Sequence, residues 1–200
     1  MAPDTGDGWR AAEMAIIGGC AHSLNGSLTG LLLAAELSRM DDRLPSEALD
    51  VIEQQCARIS AEIAVLFTLR TLDSPLVELH DPWELARSAT TLFERLPAAA
   101  MASVRITGTP DVVTVEVAGG ACVRALLLCM QTLTEALPAA GSRDIELRLS
   151  REGPEVMIRV AAEGTSIPLL RTAEALLDTD TGARLLSLDG LPTLALVTPP

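Results

Sequence analysis

Apolar residues in the first third of the chain recur at the spacing of two long helices, each with a seven-residue repeat. Ile17, Leu24 and Leu31 lie seven apart, and Ala21, Leu28 and Ala35 form a second row four residues on. Together they make a heptad stripe, which predicts a helix from about Trp9 to Met40. Asp41, Asp42 and the Leu-Pro-Ser at 44–46 break the pattern, and Ser46 is a suitable N-cap ahead of Glu47 and Glu53. In the next segment Ile52, Cys56, Ile59, Ile63 and Leu66 repeat at alternating spacings of four and three, up to a stop near Asp73-Ser74-Pro75. Two long helices and a short turn make an antiparallel hairpin. Such a hairpin cannot bury two wide apolar stripes alone, so a second copy completing a four-helix bundle is the expected solution.

The first helix has an oddity. The stretch "GGCAHSLNGSLTG", Gly18 to Gly30, holds four glycines, a histidine and an asparagine. Each Gly costs a helix interior roughly 0.5–1 kcal/mol relative to Ala. His22 is rotated about 100° from Ala21 of the stripe, which sets it at the edge, facing out. Its helical neighbours are Gly18, Gly19, Asn25 and Gly26, with Thr29 and Gly30 a turn further. A face stripped of bulk around an exposed imidazole suits a partner protein that must come within bonding distance of that nitrogen. The alternative is a tight helix crossing in which His22 is hydrogen-bonded and inert.

Composition narrows the function classes. Of 200 residues 48% are hydrophobic, enough for a core in one compact domain or two small ones. The net charge of -12 argues against a nucleic-acid surface, which needs clustered cations. Cys20, Cys56, Cys122 and Cys129 form no CxxC pair and read as small core hydrophobes in a reducing cytoplasm, not as metal ligands. No formal charge lies between Glu13 and Glu36, a run long enough to span a bilayer. Its His-Ser-Leu-Asn-Gly-Ser centre would be expensive in lipid and no aromatic belt flanks it, so no membrane span is expected. The start of the chain also lacks the order of a signal peptide.

With its hydrophobic tail, "AHSLNGSLTGLLLAAEL" resembles the histidine box of bacterial sensor histidine kinases, and the later segments follow in that family's order. "LVELHDPWELARSATTLFERL" resembles the strand and helix that open the kinase ATP-binding domain, and "SVRITG" and "VTVEVAG" its next strands. "GGACVRALLLCMQTLTEALPAAG" is similar to the helix that bears the nucleotide-binding asparagine. "DIELRLSREGPEVMIRVAAEGTSIP" resembles the central hairpin entering the first glycine box, and "TLALVTPP" the closing strand.

The departures from that family are informative. Thr132 stands where the resemblance puts the metal-coordinating Asn, and Ala162 where it puts the adenine-binding Asp. Ser166 replaces the second box glycine, leaving Gly164. Only 32 residues follow Pro168, and "DTDTGARLLSLDG" shows no phosphate cradle, so ATP binding is not expected. Ser23 follows His22 in place of the acidic residue, and Gly26 stands at the position of a water-positioning Asn or Thr. Both losses argue against autokinase and phosphatase activity. Neither blocks transfer from an aspartyl phosphate, for which the receiver domain brings Mg and most catalytic groups.

The whole resembles the dimeric histidine phosphotransferases built on a degenerate kinase fold. The implied class is α+β: a helical hairpin forming a dimeric four-helix bundle, then a degenerate ATPase-like α/β sandwich. Residues 1–9 are expected disordered, 10–74 to form the hairpin and 75–200 the ATPase-like domain. The expected partners are a second copy and response-regulator receivers docking over Gly18, Gly19, Ser23, Asn25, Gly26 and Thr29, with no nucleic acid and no cofactor bound by this chain. The location implied is cytoplasmic. A silent pseudokinase that regulates by occupancy, and a purely structural dimer, are the competing readings.

Other residues read plainly. His80 is expected at the surface beside the helix start Asp81-Pro82. Trp83 and Phe93 are expected in packing, and "DTDTG" at 178–182 as a solvated turn lacking the rest of a calcium loop. Asp4, His22 and Ser23 make no hydrolase triad without a nucleophile elbow.

Overall fold

A computed structural model describes residues 5–40, 46–108, 113–137, 143–162, 171–177 and 181–198. Helix α1 spans Thr5–Met40 and α2 Ser46–Thr71. Strand β1 (Glu78–His80) leads into α3 (Pro82–Phe93), whose start is set chemically: Asp81 accepts the Trp83 N–H and Pro82 fills the first turn. A 3-10 turn, Pro97–Met101, precedes β2 (Ser103–Gly108), β3 (Val115–Val117) and α4 (Gly119–Ala136). Strands β4 (Asp144–Glu152) and β5 (Glu155–Ala162), the single helical turn α5 (Arg171–Glu174), and β6 (Ala183–Leu188) and β7 (Leu191–Val197) follow. The α+β class and the order of elements thus match expectation. Strand β6 is an addition: alternation in "ARLLSL" is weak, and the strand is fixed by the tight Asp189-Gly190 turn, both residues at positive φ, that folds it onto β7.

The main sheet has the order β2-β4-β5-β7-β6, with β2 parallel to β4 and the other pairs antiparallel. Strands β1 and β3 pair separately. One face of β4, carrying Ile145, Leu147 and Leu149, is buried, as the alternating pattern requires. Leu92, Phe93, Leu126, Met130 and Leu133 of α3 and α4 join those strand residues in the core.

The hairpin shares that core. Trp9, Ala12, Ile16 and Cys20 of α1, Val65 and Leu69 of α2, and Leu72 just after it belong to the same apolar cluster as Phe93 and Leu126. Arg124 of α4 lies over the Trp9 ring, 5.7 Å from its centroid, and pairs with Asp73 at 3.2 Å. Backbones also meet: a Cβ on Gly120 would stand 2.2 Å from the Leu72 carbonyl oxygen. Helix α1 begins at Thr5 and Trp9 is buried; residues 1–4 of the expected disordered segment 1–9 lie outside the described residues. The stretch Gly8–Arg39 is long and apolar enough by length and composition to cross a membrane, yet one face of its first half packs into the core.

The inward stripe of the hairpin is not the heptad stripe read from the sequence. Among the described side chains of α1, Trp9, Ala12, Ile16, Cys20, Ser27 and Ala34 are buried, whereas Ile17 and Leu28 are 38% and 50% exposed. On α2, Glu62, Val65 and Leu69 turn inward, followed by Leu72 just past its end, while Ile63 and Phe67 are exposed. The two helices therefore pair within the chain along one stripe and leave a second, more apolar stripe open.

The cysteines divide the same way. Cys20, Cys122 and Cys129 are buried, but Cys56 lies exposed on the open stripe of α2, which corrects the expectation that all four are core residues. Burial pushes the Cys122 and Cys129 thiols up to about 12; burial, then the Glu62 carboxylate, pushes Cys20 up to about 11. A thiol reagent at pH 8 should therefore label the native protein at Cys56 alone, read by mass spectrometry of digested adducts. Because the folded pKa values exceed the ordinary value of 9.0, this stabilisation is intact below pH 9 and is lost as pH rises toward 12. The unfolding free energy from urea titrations should fall over that range, by about 1.4 kcal/mol per pH unit for each of Cys122 and Cys129.

Candidate functional site

His22 sits at the middle of α1 and is exposed, as expected. The next residue turns the other way. Ser23 lies about 100° around the helix toward the buried stripe, and its hydroxyl donates to Glu62 Oε1 at 2.9 Å. Glu62 is a carboxylate only 5% exposed. Its second oxygen accepts from Arg95 Nε, also at 2.9 Å. Arg95 follows α3, so the group joins α1, α2 and the α/β elements. An unpaired carboxylate at this depth would be strongly destabilising; a donor on each oxygen, one of them a guanidinium, makes it tolerable.

The glycines around His22 divide in two. Around Gly18 and Gly26 nothing lies within 4 Å of the place a Cβ would occupy. Gly19 differs: a Cβ there would stand 2.6 Å from the Arg95 carbonyl oxygen, so this glycine lets α1 lie against the turn after α3. Gly19 thus leaves the expected docking face, and Ser23 turns away from it to Glu62. Asn25 and Thr29 stay exposed, with the Thr29 hydroxyl donating to the Asn25 carbonyl at 2.9 Å. Gly30 packs on the Gln55 side chain. The structure therefore leaves Gly18, Asn25, Gly26 and Thr29 together around the imidazole.

The nucleotide-position residues are less grouped. Thr132 is half-buried in the second half of α4, and Ala162 ends β5. Gly164, Ser166 and Asp178–Asp180 lie outside the described residues. His80 departs from its expected surface place. It is half-buried against Gly119, where a Cβ would come within 2.6 Å of its Nε2, and lines a cavity of about 340 Å³ between α2, α3 and α4. Trp83 packs half-buried on the core and Phe93 is fully enclosed. Among the described residues no three His, Cys, Asp or Glu side chains are grouped to hold a metal ion.

Sequence reasoning missed Glu62 and Arg95. The available signal was spacing: Glu62, Val65, Leu69 and Leu72 repeat at three, four and three, which sets the glutamate in line with apolar residues.

No protein-family model matches the chain, and no curated protein matches it. Solved structures give the following similarities. The histidine kinase AdeS of Acinetobacter baumannii is 13% identical, with 90% of this chain and 96% of that one covered and a TM-score of 0.48. A bacterial phosphotransferase is 13% identical over 98% of this chain and 96% of its own, with a TM-score of 0.43. The histidine kinase ThkA, solved in complex with the response regulator protein TrrA, is 16% identical over 90% of this chain and 59% of its own, with a TM-score of 0.44.

The two kinds of glycine give opposite expectations for one substitution. Gly26→Ala should stabilise the fold by up to about 1 kcal/mol through helix propensity alone. Gly19→Ala should destabilise it, because the new methyl group meets a backbone carbonyl that cannot step aside. Urea midpoints of the two variants against the parent decide it, and equal shifts would contradict the assignment.

Proposed function

We propose that the chain is a phosphorelay histidine phosphotransferase, which carries phosphoryl groups between receiver aspartates on His22 without ATP or autokinase chemistry. The observation that carries this reading is His22 on a face where Gly18 and Gly26 have open space beside them. An intramolecular crossing needs contacts at such glycines; a docking surface needs their absence. The order of elements, a histidine-bearing hairpin followed by strand, helix, two strands, long helix and hairpin, agrees with the kinase-like sequence pattern described above.

The chemistry asked of this chain is small. A ring nitrogen of neutral His22 attacks the phosphorus of an aspartyl phosphate in line; the N–P bond forms as the P–O bond to the aspartyl carboxylate breaks, and the carboxylate leaves. Mg belongs to the receiver, whose site supplies it. Ser23, held by Glu62 on the inward side, is no general base, and this side favours a passive carrier over a self-phosphorylating one.

The open stripes of the hairpin fit a homodimer in the cytoplasm, with α1 and α2 of two copies forming a four-helix bundle. Ile17, Leu28, Leu32, Ile63 and Phe67 are all more than a third exposed, and a second copy would cover them.

His22→Ala should keep the fold and the dimer, since an exposed side chain contributes little to packing, and lose all acid-labile phosphate after incubation with phosphorylated receivers. Retained transfer would overturn the carrier role. Gly26→Leu should keep the fold and weaken receiver binding by filling the open face. For the dimer, Leu28→Glu should give a 21.0 kDa monomer in light scattering and leave Cys56 more open to alkylation, because it buries an unpaired charge in the bundle.

A further inference from the structure

We infer that Glu62 is a positioning residue for His22, through which the α/β part of the chain sets the orientation of the histidine segment; the inference rests on the carrier role proposed above. Glu62 holds Ser23 on α1 with one carboxylate oxygen and Arg95 beyond α3 with the other. Ser23 is the residue next to His22. Gly19, one turn back, is in backbone contact range of Arg95. Two fixed points, a hydrogen bond at Ser23 and a backbone contact at Gly19, therefore straddle His22 and set the rotation of α1 about its own axis.

The arrangement differs from a helix held by apolar packing alone. Apolar contacts are non-directional, so a helix can roll on them by a fraction of a side chain. A charge-assisted hydrogen bond has a preferred line and length. A roll that carried the Ser23 hydroxyl away would leave a carboxylate oxygen buried without that donor. The joint thus makes one presentation of the imidazole the stable one, and it ties that presentation to the seating of the α/β part on the hairpin.

Removing one partner would leave a buried charge and confuse positioning with unfolding, so the main test is a neutral exchange of both. Glu62→Leu with Arg95→Met removes the pair and keeps the volume apolar, a change that buried pairs often tolerate. Ser23→Ala, with Ser23→Thr as the conservative rescue, cuts the tie to α1 alone. Three readouts on the full chain separate the possibilities. The first is phosphorylation of His22 by potassium phosphoramidate: the ring nitrogen attacks phosphorus, the P–N bond breaks, ammonia leaves, and the ring proton passes to solvent. The second is transfer from receivers of the same genome phosphorylated with acetyl phosphate. The third is amide hydrogen exchange over residues 19–26.

The small donor needs only an exposed ring, so both the double variant and Ser23→Ala should match the parent with phosphoramidate. Receiver transfer needs alignment and should fall by about tenfold or more, with faster exchange over 19–26; Ser23→Ala should also melt lower than the parent, since it leaves a carboxylate oxygen buried without that donor, and Ser23→Thr should recover all three. Parental transfer and parental exchange in both variants would overturn the positioning role. Parent protein that takes phosphoryl from phosphoramidate but from no receiver would instead overturn the carrier reading, and the exchange measurement would still decide the joint.

Discussion

The structure turns on one buried carboxylate. Glu62 is nearly inaccessible, and a carboxylate in that position must be met by donors or expelled. Its donors come from α1 and from the turn after α3, so satisfying it requires that hairpin and α/β elements be seated together. The apolar cluster that runs from Trp9 and Ile16 through Phe93 to Leu126 supplies the larger driving force. It does not specify a rotation; the carboxylate does. Gly19 completes the joint, since any side chain there would hold α1 off the Arg95 backbone.

Much of the fold was legible because its signals are local. Asp81-Pro82 opens α3 by capping, and the alternating Ile145, Leu147 and Leu149 of β4 declare a strand with one buried face. The hairpin was legible in kind; the stripe that packs inside the chain was not. Two apolar stripes run along α1, and the richer one, with Ile17 and Leu28, is the one the chain leaves open. Sequence periodicity ranks stripes by hydrophobicity, whereas the chain chooses by what lies opposite: small and aromatic residues such as Ala12, Cys20 and Trp9 fit against the α/β core.

The site was legible where it is defined by exposure and obscure where it is defined by contact. His22 on an outer face follows from helix geometry. That Gly19 and Ser23 belong to the inside while Gly18 and Gly26 belong to the outside does not, because the distinction lies in Arg95, remote in sequence and fixed only by tertiary packing. His80 was misplaced for the same reason: beside a good helix cap it reads as surface, yet Gly119, far along the chain, offers it a bed.

The two open glycines carry the functional argument furthest. A glycine that touches another backbone explains itself by that touch, and Gly19 and Gly120 do. Around Gly18 and Gly26 no described residue lies within 4 Å of where a Cβ would stand, so their cost to the helix, roughly 0.5–1 kcal/mol each, is not offset by a contact there. They flank the exposed imidazole by four residues on either side, which places all three on one line of the helix surface. The carrier role proposed above gives this line of the helix surface a use: two bare backbones beside an exposed ring would let a partner come close enough for a bond to the ring nitrogen.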